Sequence, residues 1–335
     1  MPAIPPLTDA PRAPGRLQMA KRSLRARWWR RHVGYPLEAA LLLPLYGLFA
    51  LLPLDAASWL GGWLGRLCGP WLAGHRRAVR NLERVAPEWD AATRQRILTG
   101  MWDNIGRTLG EYPHLGTLLR AHRITVEGEA AVQALAAGGG PALMVSAHLG
   151  NWEVLPAAAS AYGLSIASVY RPPNNPWADR LLARVRPGIR IAKGSAHAGR
   201  DILAHLRKGG VVGMLIDQKL NQGISVPLLG LPAMTTPAPA LFARRLGCPL
   251  IPVRVERLQG ARFRVTVLPP LVLPPDLDGE ALAAAVMADL NGLLANWIRA
   301  RPEQWLWLHR RWPEQEPARQ PAHSPPDEGA APRQT

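Results

Sequence analysis

Between residues 142 and 255 the sequence alternates between two kinds of segment. Apolar runs of strand length lie at 142–147, 164–170, 189–192, 211–217 and 250–255. Helical stretches lie between most of them, roughly at 152–162, 177–185, 199–207 and 237–246. A strand followed by a helix before the next strand returns by a crossover, which makes neighbouring strands parallel and lays helices on the faces of the sheet. The fold class expected is therefore α/β, a mostly parallel central sheet flanked by helices. Thr236-Pro237 supplies a cap and a first-turn proline for the last of these helices. The alternation Arg262-Phe263-Arg264-Val265-Thr266-Val267 predicts a further, half-exposed strand. Upstream, Ile97, Leu98, Met101, Ile105 and Leu109 share one face of a helix expected over 90–110. A short helix is expected over 129–137, ended by Gly138-Gly139-Gly140.

The first apolar run leads into chemistry. A strand ends at His148, Gly150 permits a tight turn, and a helix begins near Asn151 or Trp152. His148 and Glu153 stand five apart, an offset of about 500° on a continuous helix. They can meet only if the histidine closes the strand and the glutamate lies on the first helical turn. In that arrangement the carboxylate holds one ring nitrogen protonated and leaves the other free as a base. Ligands of open α/β sheets bind beyond the carboxyl ends of the strands, where this turn falls.

The N-terminal quarter follows other rules. Residues 1–35 hold eight Lys or Arg and one acid, with Trp28-Trp29 inside the cluster. From Ala39 to Leu54 sixteen residues carry no charge, and His75, Arg76, Arg77, Arg80 and Arg84 follow the apolar segment. Sixteen residues fall short of the ~20 that cross a bilayer, and Pro44 and Pro53 disfavour one straight helix. Positive charge on both flanks favours both ends on the cytoplasmic side. The expected organisation is a basic, loosely ordered segment over 1–35, a membrane anchor or helical hairpin over 36–74, a catalytic domain over 75–312 and a disordered tail over 313–335. The formal net charge is +16, only four of the 40 cationic residues are lysine, and 13 tryptophans outnumber the phenylalanines and tyrosines together. Arginine and tryptophan in excess suit an anionic, amphipathic partner. Two cysteines 180 positions apart exclude a disulfide scaffold.

Several further segments stand in order along the chain: "RNLERVAPEW" at 80–89, "SAHLGNWE" at 146–153, "VYRPPNNP" at 169–176, "DQ" at 217–218, the long run 226–257 and "RPEQWLWLHRRW" at 301–312. Together they resemble the bacterial lipid A biosynthesis lauroyl/myristoyl acyltransferase family, over roughly residues 36–312. The His-x4-Glu box is similar to that of glycerolipid-type acyltransferases, whereas the Asn-His-x4-Asp form and its companion box are absent. The resemblance implies transfer from acyl-acyl carrier protein to the 3-hydroxyl of a hydroxyacyl chain on a lipid A precursor, at the cytoplasmic face of the inner membrane. It implies His148 as general base and Glu153 as its orienting carboxylate, with no acyl-enzyme, no cofactor and no metal.

Other matched positions have two readings each. Arg171 is either a phosphate or oxyanion ligand or a surface arginine. Asp217 and Gln218, at the end of a strand, either touch substrate or hold structure. Arg310 and Arg311, among Trp305, Trp307 and Trp312, either meet an anionic headgroup or are solvated ends of a core segment. His309 reads as structural, and Lys193, Gly194 and His197 as a plain turn that could touch phosphate. Alternatives to the leading reading are another membrane glycolipid or aminolipid acceptor, acyl-CoA as donor, and a non-enzymatic basic protein of the membrane surface. No nucleic-acid motif accompanies the charge.

Overall fold

The computed structural model describes residues 28–186, 188–193 and 197–313. The expectations for the basic segment up to 27, for Gly194 and for the tail beyond 313 lie outside them.

Five helices precede the first strand: α1 (Tyr35–Leu51), α2 (Leu54–Cys68), α3 (His75–Val85), α4 (Ala91–Glu111) and α5 (Leu115–Arg120). A π-helical turn, Arg30–Gly34, runs directly into α1. Residues 39–51 of the charge-free stretch are thus part of one helix, Arg30–Leu51, 22 residues long and apolar enough to cross a membrane. Beyond Glu38 it is apolar all round, and Leu37, Leu41, Leu42, Leu43, Leu48 and Leu51 are exposed. Both its ends are nonetheless tied to the body. Asn175 Nδ2 donates to Tyr35 O at 3.0 Å and to Glu38 Oε2 at 3.1 Å, and His114 Nε2 lies 2.8 Å from Phe49 O.

Helix α2 differs in character. Ala57, Gly61, Gly65 and Gly69 recur every fourth residue and face Trp102, Gly106 and Gly110 of α4. A Cβ on Gly61 would stand 2.3 Å from Gly106 O, and one on Gly106 would stand 2.1 Å from Gly61 O, so the two backbones touch. The opposite face of α2 exposes Trp59, Trp63 and Leu67. By packing, α2 is continuous with α4, and the boundary expected at residue 75 falls inside a packed unit.

The sheet-bearing part runs β1 (Ile124–Glu127), α6 (Glu129–Ala136), β2 (Ala142–Ser146), α7 (Val154–Ala161), β3 (Ile166–Tyr170), α8 (Pro176–Val185), β4 (Arg190–Ala192), α9 (Ala198–Arg207), β5 (Val211–Leu215), β6 (Ile224–Leu228), β7 (Leu231–Thr235), α10 (Ala238–Leu246), β8 (Leu250–Arg257), β9 (Phe263–Val267) and α11 (Gly279–Ala300). Seven strands form one sheet in the order β1-β9-β8-β2-β5-β3-β4. Strands β8, β2, β5, β3 and β4 are mutually parallel, while β9 is antiparallel to β8 and parallel to β1. The expected α/β class with a mostly parallel sheet is what the chain adopts. Strands β6 and β7 form a separate hairpin.

Each face of the sheet carries its own core. Met144, Ile166, Val211, Val253 and Val265 pack with Val154 and Ala158 on one side. Leu143, Val145, Ala167 and Val212 pack with α10, α11 and the tryptophans of 305–312 on the other. Helix α11 is long and apolar enough for a membrane, but more than half of its apolar window is buried, so it is a core helix.

Candidate active site

Register brings the first pair of functional groups together. Ser146 of β2 stands opposite Leu215 of β5. Two residues beyond each strand end, His148 and Asp217 therefore face one another at the carboxyl edge of the sheet. His148 Nδ1 lies 2.7 Å from Asp217 Oδ1, and the His148 backbone N–H donates to Asp217 Oδ2 at 2.9 Å. Trp305 Nε1–H donates to the same Oδ2 at 2.8 Å. Asp217 is fully buried. Burial works against its charge, but the neighbouring His148 and the hydrogen bonds it receives override this and hold the carboxyl far below the usual carboxylate range. A carboxylate only accepts, so His148 carries its proton on Nδ1 and its lone pair on Nε2.

That lone pair faces Gln218. The Gln218 amide nitrogen lies 3.2 Å from His148 Nε2 and 3.4 Å from His309 Nε2, so one NH₂ group bridges two imidazoles. The rings of Trp152 and His309 each stand edge-on to His148, at 5.0 Å between centroids. Burial, with His148 alongside, pushes His309 down to about 3. His309 is then neutral at pH 7 and can accept from Gln218.

Glu153 does not fill the role expected of it. Gly150 turns the chain at φ +54°, a left-handed conformation that suits glycine. Helix α7 begins at Val154, with Glu153 just before it, and the Glu153 carboxylate bonds to groups other than His148. Its carboxylate accepts from Tyr112 OH at 2.8 Å and Trp152 Nε1 at 2.9 Å, and Arg186 holds both oxygens, with Nε at 2.6 Å from Oε2. Burial opposes the Arg186 charge, but its bonds to Glu153 raise its pKa above the ordinary arginine value. The acid at the histidine is Asp217, because the register of β2 and β5 delivers it there, and Glu153 is the anchor of an arginine.

The turn itself is bolted from below. Asn104 Nδ2 donates to Gly150 O at 2.8 Å, and Gly150 N–H donates to Gln304 O at 3.1 Å. Arg257 pairs with buried Glu111, which also accepts from Asn151 at 2.8 Å and Ser58 at 2.7 Å. A buried pair saturated in this way locks geometry, whatever its net contribution to stability.

A cavity of about 390 Å³ opens beside His148, within the range of ligand pockets. Its apolar lining comes from one face of the sheet with α6 and α7, through Val132, Met144, Ala158, Ile166, Val253 and Val265, and also from Val169, Met214, Ile202 and Phe242 of the other core. Its polar end holds His148, Glu153, Gln218, Arg171, Arg186, Arg190 and Lys193. Arg171 is exposed there, and burial lowers the Lys193 pKa despite nearby Asp217.

The two terminal arginines diverge, as adjacent residues of an extended segment do. Arg310 is exposed and outside the cavity lining. Arg311 is buried and donates to Met234 O at 2.6 Å and Thr235 Oγ1 at 2.7 Å, so it ties the last segment to β7 rather than meeting solvent. Burial lowers it to about 10. Sequence reasoning missed Arg186 and Tyr112, which have no local signature among 36 arginines and five tyrosines. It also set aside His309, whose place in the "WLHRRW" segment was the available signal.

The model of the bacterial lipid A biosynthesis acyltransferase family matches residues 27–314. The chain is 29% identical over 308 residues to the lipid A biosynthesis lauroyltransferase of Escherichia coli K12, covering 84% of this chain and 97% of that protein. It is 24% identical over 280 residues to the lipid A biosynthesis palmitoleoyltransferase of the same strain, covering 79% and 87%. Among solved structures, the 1-acyl-sn-glycerophosphate acyltransferase of Thermotoga maritima aligns with 67% of this chain and 95% of its own, at 12% identity and a TM-score of 0.35. The chain is an acyltransferase and belongs to the bacterial lipid A biosynthesis acyltransferase family.

Proposed function

We propose that the protein moves an acyl chain from an acyl-carrier-protein thioester to the 3-hydroxyl of a hydroxyacyl chain on a lipid A precursor. The observation that carries this reading is the Nε2 lone pair of an Asp217-held His148, met only by the Gln218 amide, at the junction of an apolar cavity and a cationic rim. Nε2 takes the acceptor hydroxyl proton as its oxygen attacks the thioester carbonyl. The tetrahedral intermediate collapses, the C–S bond breaks, and the imidazolium returns its proton to the departing thiolate. Asp217 stabilises the imidazolium in between. The apolar wall would take the acyl chain. Arg171, Arg186, Arg190 and Lys193 would meet phosphates of the acceptor or of the donor's prosthetic arm. A direct transfer needs no acyl-enzyme, and neither Cys68, which is exposed, nor Cys248, which is buried, lines the cavity. Helix α1 and the Trp59–Trp63 face would sit in the inner membrane, with the sheet on its cytoplasmic side.

The test uses the full chain in membranes, with acyl-carrier-protein thioester and a lipid A precursor, and product read by mass. His148→Ala is expected to lower turnover by about 10²–10⁴. Transfer at the parent rate in that variant would remove His148 as the base. Transfer from acyl-CoA alone, or to other glycolipids alone, would replace the donor or acceptor in this reading.

A further inference from the structure

Gly213 is the one position in the middle of the sheet where a strand residue has no side chain and the backbone gives no reason for it. It lies in β5, between β2 and β3, with Met144 and Ser168 as its partners in register. Its φ is not positive, unlike that of the turn glycines. Glycine weakens a strand interior and commonly marks a place where something approaches the backbone closely. A Cβ built on Gly213 would lie 2.9 Å from Cγ2 of Ile166. Met144, Gly213, Ser168 and Ile166 all line the apolar part of the cavity. The missing side chain therefore leaves the Gly213 backbone bare in the cavity lining, with the Ile166 Cγ2 methyl close against it. Ile166 lies in the next row down, opposite Val211. The Gly213 row stands four residues before His148 along β2, a depth of about 13 Å from the base.

We propose that Gly213, with Ile166 facing it, sets the longest acyl chain this enzyme accepts. The inference rests on the acyl-transfer reading of the cavity. In that row Ser168 is small and Met144 is unbranched and adaptable, while Arg190, the partner of Ser168 in β4, is engaged by Asp179 and by the Tyr170 ring. A chain long enough to reach the row passes over the bare backbone of Gly213 and ends against Ile166. A methyl group there narrows the passage from one side, and trimming Ile166 widens it from the other. The two substitutions should therefore act in opposite directions and compensate when combined.

The experiment gives the full chain in membranes a graded series of saturated acyl-carrier-protein thioesters in competition, with lipid A precursor as acceptor and products separated by mass. Gly213→Ala is expected to lower the ratio of longest accepted to next shorter chain by about tenfold, the discrimination that one methylene supports in an apolar pocket. Ile166→Ala should raise the yield from longer chains, and Gly213→Ala with Ile166→Ala should return the profile towards the parent's. An unchanged profile in folded Gly213→Ala, or a general loss without change of ratio, would overturn the proposal and leave Gly213 as packing only. If Gly213→Ala does not fold, an unchanged profile in Ile166→Ala overturns it equally. Absence of transfer from every thioester by the parent protein would instead sink the acyl-transfer reading itself.

Discussion

Two carboxylates stand near His148, and only one of them serves it. Asp217 touches its Nδ1, while Glu153 grips Arg186 and Tyr112. Asp217→Asn is expected to lower turnover by about 10²–10⁴, because an amide no longer fixes the tautomer or offsets the imidazolium. Glu153→Gln should act mainly on KM, since it releases a rim arginine and leaves the Asp217 contact in place. Steady-state kinetics of the two variants separates them, and equal loss of turnover in both would put Glu153 back at the histidine. The pH dependence of stability has its own signature. His309 is held down to about 3 against an ordinary value of 6.5. Between those values the unfolded chain binds a proton that the folded chain refuses, so stability falls as pH drops from 6.5 towards 3. His309→Phe should flatten that fall in Tm from about pH 6.5 down to about 4, and an unchanged slope would show that His309 is not buried neutral. Asp217 contributes in the same sense only lower down, below about 4, as its carboxylate is titrated. In sequence, Asp217 was legible as the end of a strand, but its pairing with His148 was not. That pairing depends on the register of two strands 69 residues apart.

Apart from the β6–β7 hairpin, the strands from 142 to 267 were legible because they are apolar or alternating runs bounded by turn residues. Others were not. Strand β1 has only four residues, and the β6–β7 hairpin carries Pro227 and Pro232, which speak against strand in isolation. Helix α11 has no sharp polar face to signal it, since ten of its residues are buried. Most instructive is α2, whose apolar composition read as anchor. Its meaning lies in a four-residue spacing that sorts two faces, glycines against α4 and tryptophans outward. Gly106→Ala forces a methyl into a backbone and should cost at least about 2 kcal/mol, measured by thermal unfolding. Gly292 sits exposed inside α11 with open space around it. Gly292→Ala should stabilise by about 0.5–1 kcal/mol. A similar effect of the two substitutions would show that α2 and α4 are not in backbone contact.

At the scale of the whole molecule the question is whether a chain of charge +16 meets a bilayer by charge alone or by insertion, as the proposed function requires of it. Charge alone would give surface adsorption that salt reverses within a Debye length of ~8 Å. The exposed apolar surface argues for more. Trp28 and Trp29 precede α1, leucines stud α1 all round, and Trp59, Trp63, Leu67 and Trp71 continue the surface. Arg30, Arg31, Arg76 and Arg80 are exposed around it, where anionic headgroups would lie. Because Asn175 and His114 hold the two ends of α1, the helix lies against the body beside α8, not out on a stalk. A lipid acceptor would then reach the cationic rim without leaving the interface. Flotation with vesicles tests this directly. The full chain should bind anionic vesicles more tightly than zwitterionic ones, and raised salt should narrow that difference without releasing the protein, since apolar insertion is not screened. Trp59→Ser with Trp63→Ser should weaken binding at least about tenfold, because each large side chain contributes more than a kcal/mol when it leaves water. If high salt strips the parent protein completely from anionic vesicles, its hold is electrostatic alone, and the tryptophan face of α2 stays in water.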